Sequence, residues 1–271
     1  PVGDAADPRL APYLGLRDPA RRRDLEAATG VFVAEGWKAV ARLLDSGLTV
    51  RSVVVATERG ERVQDELPEP EADLPLLLVP RPVLDGVAGF AVHRGVLALA
   101  ERPPALDWRH LASRARRLLV VEAVNDQANL GSLFRTAAGL GVDGVLLCPK
   151  ACDPFYRRTV RVSLGASFLL PSARASPWPA ALDELARDGW TVAALTPQGA
   201  LDLHDSALAA ADRVAVLVGS EGDGLSARAR RAATHQVAIP MAPGTDSLNV
   251  TVAAAIALWA ARPSLRARGG G

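Results

Sequence analysis

The sequence predicts an α/β protein in two parts: a small amino-terminal α/β domain, then a domain built on a mostly parallel sheet. Three observations carry this. Apolar runs of strand length alternate with amphipathic runs of helix length. In the second part mainly apolar strands alternate with helices, which implies a mostly parallel sheet covered on both faces. Between the parts, a proline pair followed by charged residues reads as a linker with a short helix. The expected divisions are an arm at 1–29, a first domain at 30–102, the linker at 103–116 and a second domain at 117–271.

In chain order, the arm contains the arginine-rich "RRRDLEAA". "EGWKAVARLLDSG" is an amphipathic helix, with Trp37, Val40, Leu43 and Leu44 at helical spacing and Gly47 closing it. "TVRSVVVAT" is a strand, "ERGERVQDELPEPEADLP" a helix and an acidic loop, and "LLLV" and "GVLALA" further strands. Beyond the linker, strands are expected at "RLLVVEAV", "GVLLC", "WTVAALT", "RVAVLVG" and "HQVAIP". Helices are expected at "LGSLFRTAAGLG", "PAALDELARDG", "LSARARRAA" and "SLNVTVAAAIALWAAR". In the last of these, Leu248, Val252, Ile256 and Trp259 form an apolar stripe.

Hydrophobic residues make up 49% of the 271, enough for a sizeable core. The formal net charge of +1 argues neither for nor against a nucleic-acid partner, so local clusters must decide. Positive charge is almost all arginine, the residue better shaped for phosphate; Lys38 and Lys150 are the only lysines. Two cysteines, Cys148 and Cys152, make no disulfide framework, and no histidine lies near them, so no metal site is expected. No leader pattern and no apolar run of membrane-spanning length is read. The expectation is a cytoplasmic protein without a membrane partner.

Three polar loops follow strand runs, where parallel sheets bind ligands. In "NDQANLGSLFR", Asn129 can cap the helix, Gly131 permits close backbone approach, and Arg135 sits early in the helix. Its bland reading is capping plus a solvated arginine. "VGSEGDGLS" places Gly219, Gly222 and Gly224 around an acid. That is an ordinary tight turn or a nucleotide loop, although it comes too late for a dinucleotide fingerprint. "IPMAPGTDSLN" ends a strand and opens a long helix that Ser247 could cap.

In order and spacing, these loops resemble the three motifs of the TrmH (SpoU) branch of the SPOUT RNA methyltransferases. The carriers are Asn129, Gly131 and Arg135; the run Gly219 to Leu225; and Ile239 to Met241 with Ser247 to Asn249. "FVAEGWKAVARLLDSG" and "AVHRGVLALAE" are similar, more weakly, to the start and end of that family's small substrate-binding domain. Where the family often has Asp-Pro, Asp126 is followed here by Gln127.

The resemblance implies a parallel sheet with a deep trefoil knot, S-adenosylmethionine as cofactor, and methylation of a ribose 2′-hydroxyl in ribosomal or transfer RNA by a homodimer. It implies a catalytic role for Arg135, supported by Asn129, Glu221, Ser247 and Asn249. Cofactor contacts would come from Leu195, Thr196, Pro197, Gly219, Ser220, Glu221, Gly222, Gly224, Ile239, Met241, Ser247 and Leu248. RNA contacts are expected from arginine clusters: Arg21, Arg22 and Arg23, then Arg157, Arg158 and Arg161, with further candidates at Arg114–Arg117 and Arg228–Arg231. The rivals are a non-catalytic RNA-binding paralogue and a nicotinamide-dependent oxidoreductase using the 219–224 loop.

Overall fold

The computed structural model describes residues 1–18, 28–69, 73–205 and 208–262. The chain forms two compact units. The first comprises Pro1–Pro104 with Phe155–Leu169, the second Ala105–Pro154 with Leu170–Gly271.

The first unit holds strands β1 (Val31–Glu35), β2 (Val50–Ala56), β3 (Leu76–Val79) and β4 (Val96–Glu101) in the order β1-β4-β2-β3. β4 pairs antiparallel with both neighbours; β2 and β3 are parallel. Alternate side chains serve opposite faces, as strand geometry requires. Val31, Val33, Val54 and Ala56 pack with Leu10, Tyr13 and Leu84 on one side. Phe32, Ala34, Val53 and Val55 pack with Trp37, Val40 and Leu43 of helix α1 (Trp37–Leu44) on the other. β1 is read in the sequence only as the lead-in to α1. All five of its residues are buried, so no polar alternation marks it.

Phe155–Leu169 lies within the sequence span expected for the second domain, yet it packs in the first unit. The rings of Phe155 and Phe168 lie tilted against Phe32 at 5.1 and 5.7 Å, and Val160 joins the same apolar cluster.

The second unit is a seven-stranded sheet in which every pairing is parallel. Its strands are β5 (Arg117–Val121), β6 (Gly144–Leu147), β7 (Ser172–Arg174), β8 (Thr191–Leu195), β9 (Leu201–Asp202), β10 (Val214–Val218) and β11 (His235–Ala238). The order is β7-β6-β5-β10-β8-β11-β9, so late strands enter between earlier ones. The five expected strands are present. The edge strands β7 and β9 have three and two residues, too few to show a period.

Half of the expected linker is helical, and from Ala105 on it belongs to this unit. In α2 (Trp108–Arg114), capped by Asp107, Trp108 and Leu111 enter the core and Trp108 Nε1 donates to Ser176 O at 3.2 Å.

Helices α3 (Gln127–Gly139), α4 (Ala180–Arg187), α5 (Ala227–Ala232) and α6 (Val250–Ala260) cover the sheet. In α6 the faces divide by size. The helix buries Val250, Ala254, Ala257 and Leu258, while Val252, Ile256 and Trp259 are 47%, 39% and 61% exposed. The small face packs against α3 and the sheet because alanines allow close approach; the large apolar stripe points outward.

Candidate functional site

Three loops meet at the carboxyl ends of β8, β10 and β11. The loop after β10 folds on itself: Ser220 and Gly224 form a bridge, with Gly224 N donating to Ser220 O at 3.1 Å. A Cβ at Gly219 would stand 2.5 Å from both Gly224 O and Leu225 N. The glycine is therefore required by the loop's own backbone. Gly222 and Gly224 hold φ of 95° and 65°, which side chains rarely adopt. Ser226 ends the loop and caps α5, accepting from Ala229 N.

After β8, Thr196 N donates to Val237 O at 3.0 Å and Gly199 N to Thr196 O at 3.0 Å. A Cβ at Gly199 would stand 2.5 Å from Ala238 N, so this turn is pressed onto β11. After β11, residues 239–249 run into α6.

The loops enclose a cavity of about 560 Å³. It is lined by all twelve residues expected to touch a cofactor: Leu195, Thr196, Pro197, Gly219, Ser220, Glu221, Gly222, Gly224, Ile239, Met241, Ser247 and Leu248. Sequence reading missed Gln198, Arg230 and Asp246, which also line it. Gln198 follows Thr196 closely and accepts from its hydroxyl at 2.9 Å. Arg230 lies in the Arg228–Arg231 cluster, a candidate for RNA and not for a cofactor, and Asp246 carries no local pattern that marks it.

Of the five candidate catalytic residues, three are joined directly. Asn249 Nδ2 donates to Glu221 Oε1 at 2.6 Å and to Asn129 Oδ1 at 3.2 Å. Its Oδ1 accepts from Thr251 N at 2.9 Å, so Asn249, not Ser247, is the cap of α6. Asn129 is not a cap either. Asp126 caps α3 by accepting from Asn129 N at 2.7 Å, which frees the Asn129 side chain for its contact with Asn249. Ser247 lines the cavity wall. Arg135 is exposed and makes no hydrogen bond or ion pair among the described residues. It lies six residues beyond Asn129, about 9 Å along the helix and roughly a third of a turn round.

The arginines expected to meet RNA divide. Arg157 and Arg161 both pair with Glu35, which is 3% exposed at the end of β1; the Arg161 distance is 3.2 Å. Arg157 also lies over the Phe90 ring. Arg158 is exposed. Arg117 is spent on the carbonyls of Arg116, Ala211, Asp212 and Ala261, and burial lowers its pKa. Arg21, Arg22 and Arg23 lie outside the described residues.

No group of three His, Cys, Asp or Glu residues that could hold a metal occurs among the described residues. Burial, with Asp153 and Asp126 nearby, pushes the Cys152 thiol up to about 12. No helix of the described residues is long and apolar enough to cross a membrane.

Fold and cavity together define a two-unit α/β protein with a cavity at the carboxyl ends of a parallel sheet, where sheets of this kind bind ligands. The chain belongs to the SpoU methylase family: the SpoU rRNA Methylase family model matches residues 116–259. A second model, RNA 2′-O ribose methyltransferase substrate binding, matches residues 33–106. A Mycobacterium bovis protein named as an uncharacterized tRNA/rRNA methyltransferase is 42% identical over 260 residues, covering 95% of this chain and 90% of that one. Among solved structures, the AdoMet-bound rRNA methyltransferase from Sinorhizobium meliloti has a TM-score of 0.78 at 26% identity, covering 96% of each chain. An RNA 2′-O ribose methyltransferase has a TM-score of 0.78 at 28% identity, covering 96% of this chain and 97% of that one.

Proposed function

We propose that the protein transfers a methyl group from S-adenosylmethionine to a ribose 2′-hydroxyl in structured RNA, with ribosomal RNA favoured over transfer RNA. The observation that carries this reading is the pair of hydrogen bonds from Asn249 to Asn129 and Glu221, which joins α3 and the start of α6 to the glycine loop beside the cavity. The residues present fit the cofactor. A volume of about 560 Å³ suits a ligand of its size. Leu195, Ile239, Met241 and Leu248 offer apolar flanks for a flat adenine, and the glycine loop brings backbone groups to its polar edge.

When bound, S-adenosylmethionine supplies a methyl group made electrophilic by the adjacent sulfonium. The protein's task is to present and activate the ribose hydroxyl, which is the harder partner. Arg135 is free for that task. Its guanidinium stays protonated, so it grips a flanking phosphate and stabilises negative charge developing on the ribose oxygen. The hydroxyl proton leaves to a phosphate oxygen or water. Asn249 uses both amide protons and its cap oxygen within the protein, which makes it an organiser of the site.

In the first unit, RNA phosphates meet Lys38, Arg59 and Arg94. All three are exposed and make no ion pair among the described residues. A Cβ at Gly95 would lie 3.0 Å from Arg59 Cγ and 3.3 Å from Arg81 Nη2, and one at Gly36 3.7 Å from Arg94 Cγ. Arg59 and Arg94 therefore lie at the end of the sheet where β1 ends and β4 begins, and Lys38 follows Gly36 by two residues. A homodimer is supported by the outward stripe Val252, Ile256 and Trp259. A cytoplasmic location and a knotted path through β10 and β11 complete the proposal.

The test is methyl transfer from labelled S-adenosylmethionine to bulk ribosomal RNA and bulk transfer RNA, with 2′-O-methyl mapping. Label in alkali-resistant dinucleotides of ribosomal RNA is expected. Label on a base, or none in RNA, would sink the reading; tight NAD(H) binding in its place would favour an oxidoreductase.

A further inference from the structure

We infer that Glu122 is a positioning residue that fixes both ends of the glycine loop, and so sets cofactor affinity without touching the cofactor. This rests on the proposed cofactor site. Glu122 follows β5 directly and is 6% exposed. Its backbone N donates to Val218 O at 2.8 Å, the residue where the loop leaves β10. Its carboxylate holds Ser226, where the loop ends: Oε2 accepts from Ser226 N and Oε1 from Ser226 Oγ, both at 2.8 Å. Oε1 also accepts from Trp178 Nε1 at 2.8 Å. One residue therefore pins residues 218 and 226, and the loop between them supplies Gly219 to Leu225 to the cavity wall.

The chemistry is unusual for a purely structural position. No lysine or arginine pairs with this carboxylate among the described residues. A buried carboxylate without a counter-charge is costly, and three neutral donors offset that cost only in one geometry. Each donor is then locked in place by the charge it serves. Ser226 is fixed twice, since it also caps α5. The fixed loop holds Glu221 toward Asn249, so the same staple steadies the Asn249–Glu221 bond. Glu122 does not line the cavity, which separates its role from direct contact.

The experiment uses the full chain and three variants: Glu122→Gln, Ser226→Ala and Trp178→Phe. Calorimetry measures Kd for S-adenosylmethionine, kinetics measure KM for cofactor and RNA separately, and melting measures the fold. Glu122→Gln keeps the shape but turns an amide toward groups that are already donors. Its Kd and cofactor KM should rise roughly ten- to hundredfold, with the RNA KM near wild type. Ser226→Ala and Trp178→Phe each remove one donor and should raise Kd several-fold while the protein stays folded. Adding Ser226→Ala to Glu122→Gln should cost little more, because the two report one interaction. Wild-type Kd in Glu122→Gln, or in both single-donor variants should Glu122→Gln fail to fold, overturns the inference. So does a lowered melting temperature with unchanged Kd. Absence of binding by the wild type overturns the functional reading, and this inference with it.

Discussion

Asn249 Nδ2 donates to Glu221 Oε1 at 2.6 Å, joining the start of the last described helix to the glycine loop 28 residues earlier. The same nitrogen reaches Asn129, 120 residues away, at 3.2 Å. Asn249→Asp separates its two jobs. Aspartate still caps α6, but it places a second carboxylate against Glu221. Melting should change little, while methyl transfer should fall about a hundredfold through misalignment. Asn249→Ala should lose both, with about 1 kcal/mol of stability gone with the cap. Full turnover in Asn249→Asp would show that the bridge is idle.

Arg135→Ala should keep cofactor binding and lose roughly 10²–10³ in rate, the usual cost of removing a donor aimed at developing charge. Arg135→Lys should recover little, because a point charge cannot bridge a phosphate and a ribose oxygen. RNA affinity should fall far less, since other arginines share the phosphates. Unchanged single-turnover rates in the alanine variant would return Arg135 to a solvated helix residue.

Gly219→Ala should damage the loop itself, because its Cβ would meet Gly224 O and Leu225 N. A stability loss of about 1–3 kcal/mol, with cofactor binding abolished, is expected. Urea titration checks it. An unchanged midpoint would mean that the loop relaxes freely around a side chain.

Exchanging Lys38, Arg59 and Arg94 together for glutamine should weaken RNA binding and lower the salt slope by about one for each phosphate no longer neutralised. Arg161→Gln should leave that slope nearly intact, because Arg161 is engaged with Glu35. Filter binding across a salt series decides; the reverse ranking would move the RNA surface to Arg157–Arg161.

Trp259→Glu should convert a dimer to monomers in light scattering, because it puts charge at the most exposed residue of the outward stripe. A dimer mass in the variant would remove α6 from the interface.

The sequence by itself determined the parallel α/β architecture, five of the seven strands of its sheet, and two of the three loops that line the cavity, those after β10 and β11. These follow from local signals. Period, apolar run length and glycine placement act within a few residues, and any fold of this chain must respect them. Tertiary structure decided what meets what. Asp126 and Asn249 took the caps that Asn129 and Ser247 could have filled, since the freed Asn129 side chain has a partner only once α6 is packed beside α3. Phe155–Leu169 joined the first unit through Phe32, and Glu35 claimed Arg157 and Arg161 across 122 and 126 residues. α6 buried its alanines and turned its large apolar residues outward because helix and sheet needed close approach there. Hydrophobic period reveals that a helix has faces; only its neighbours select which face is covered.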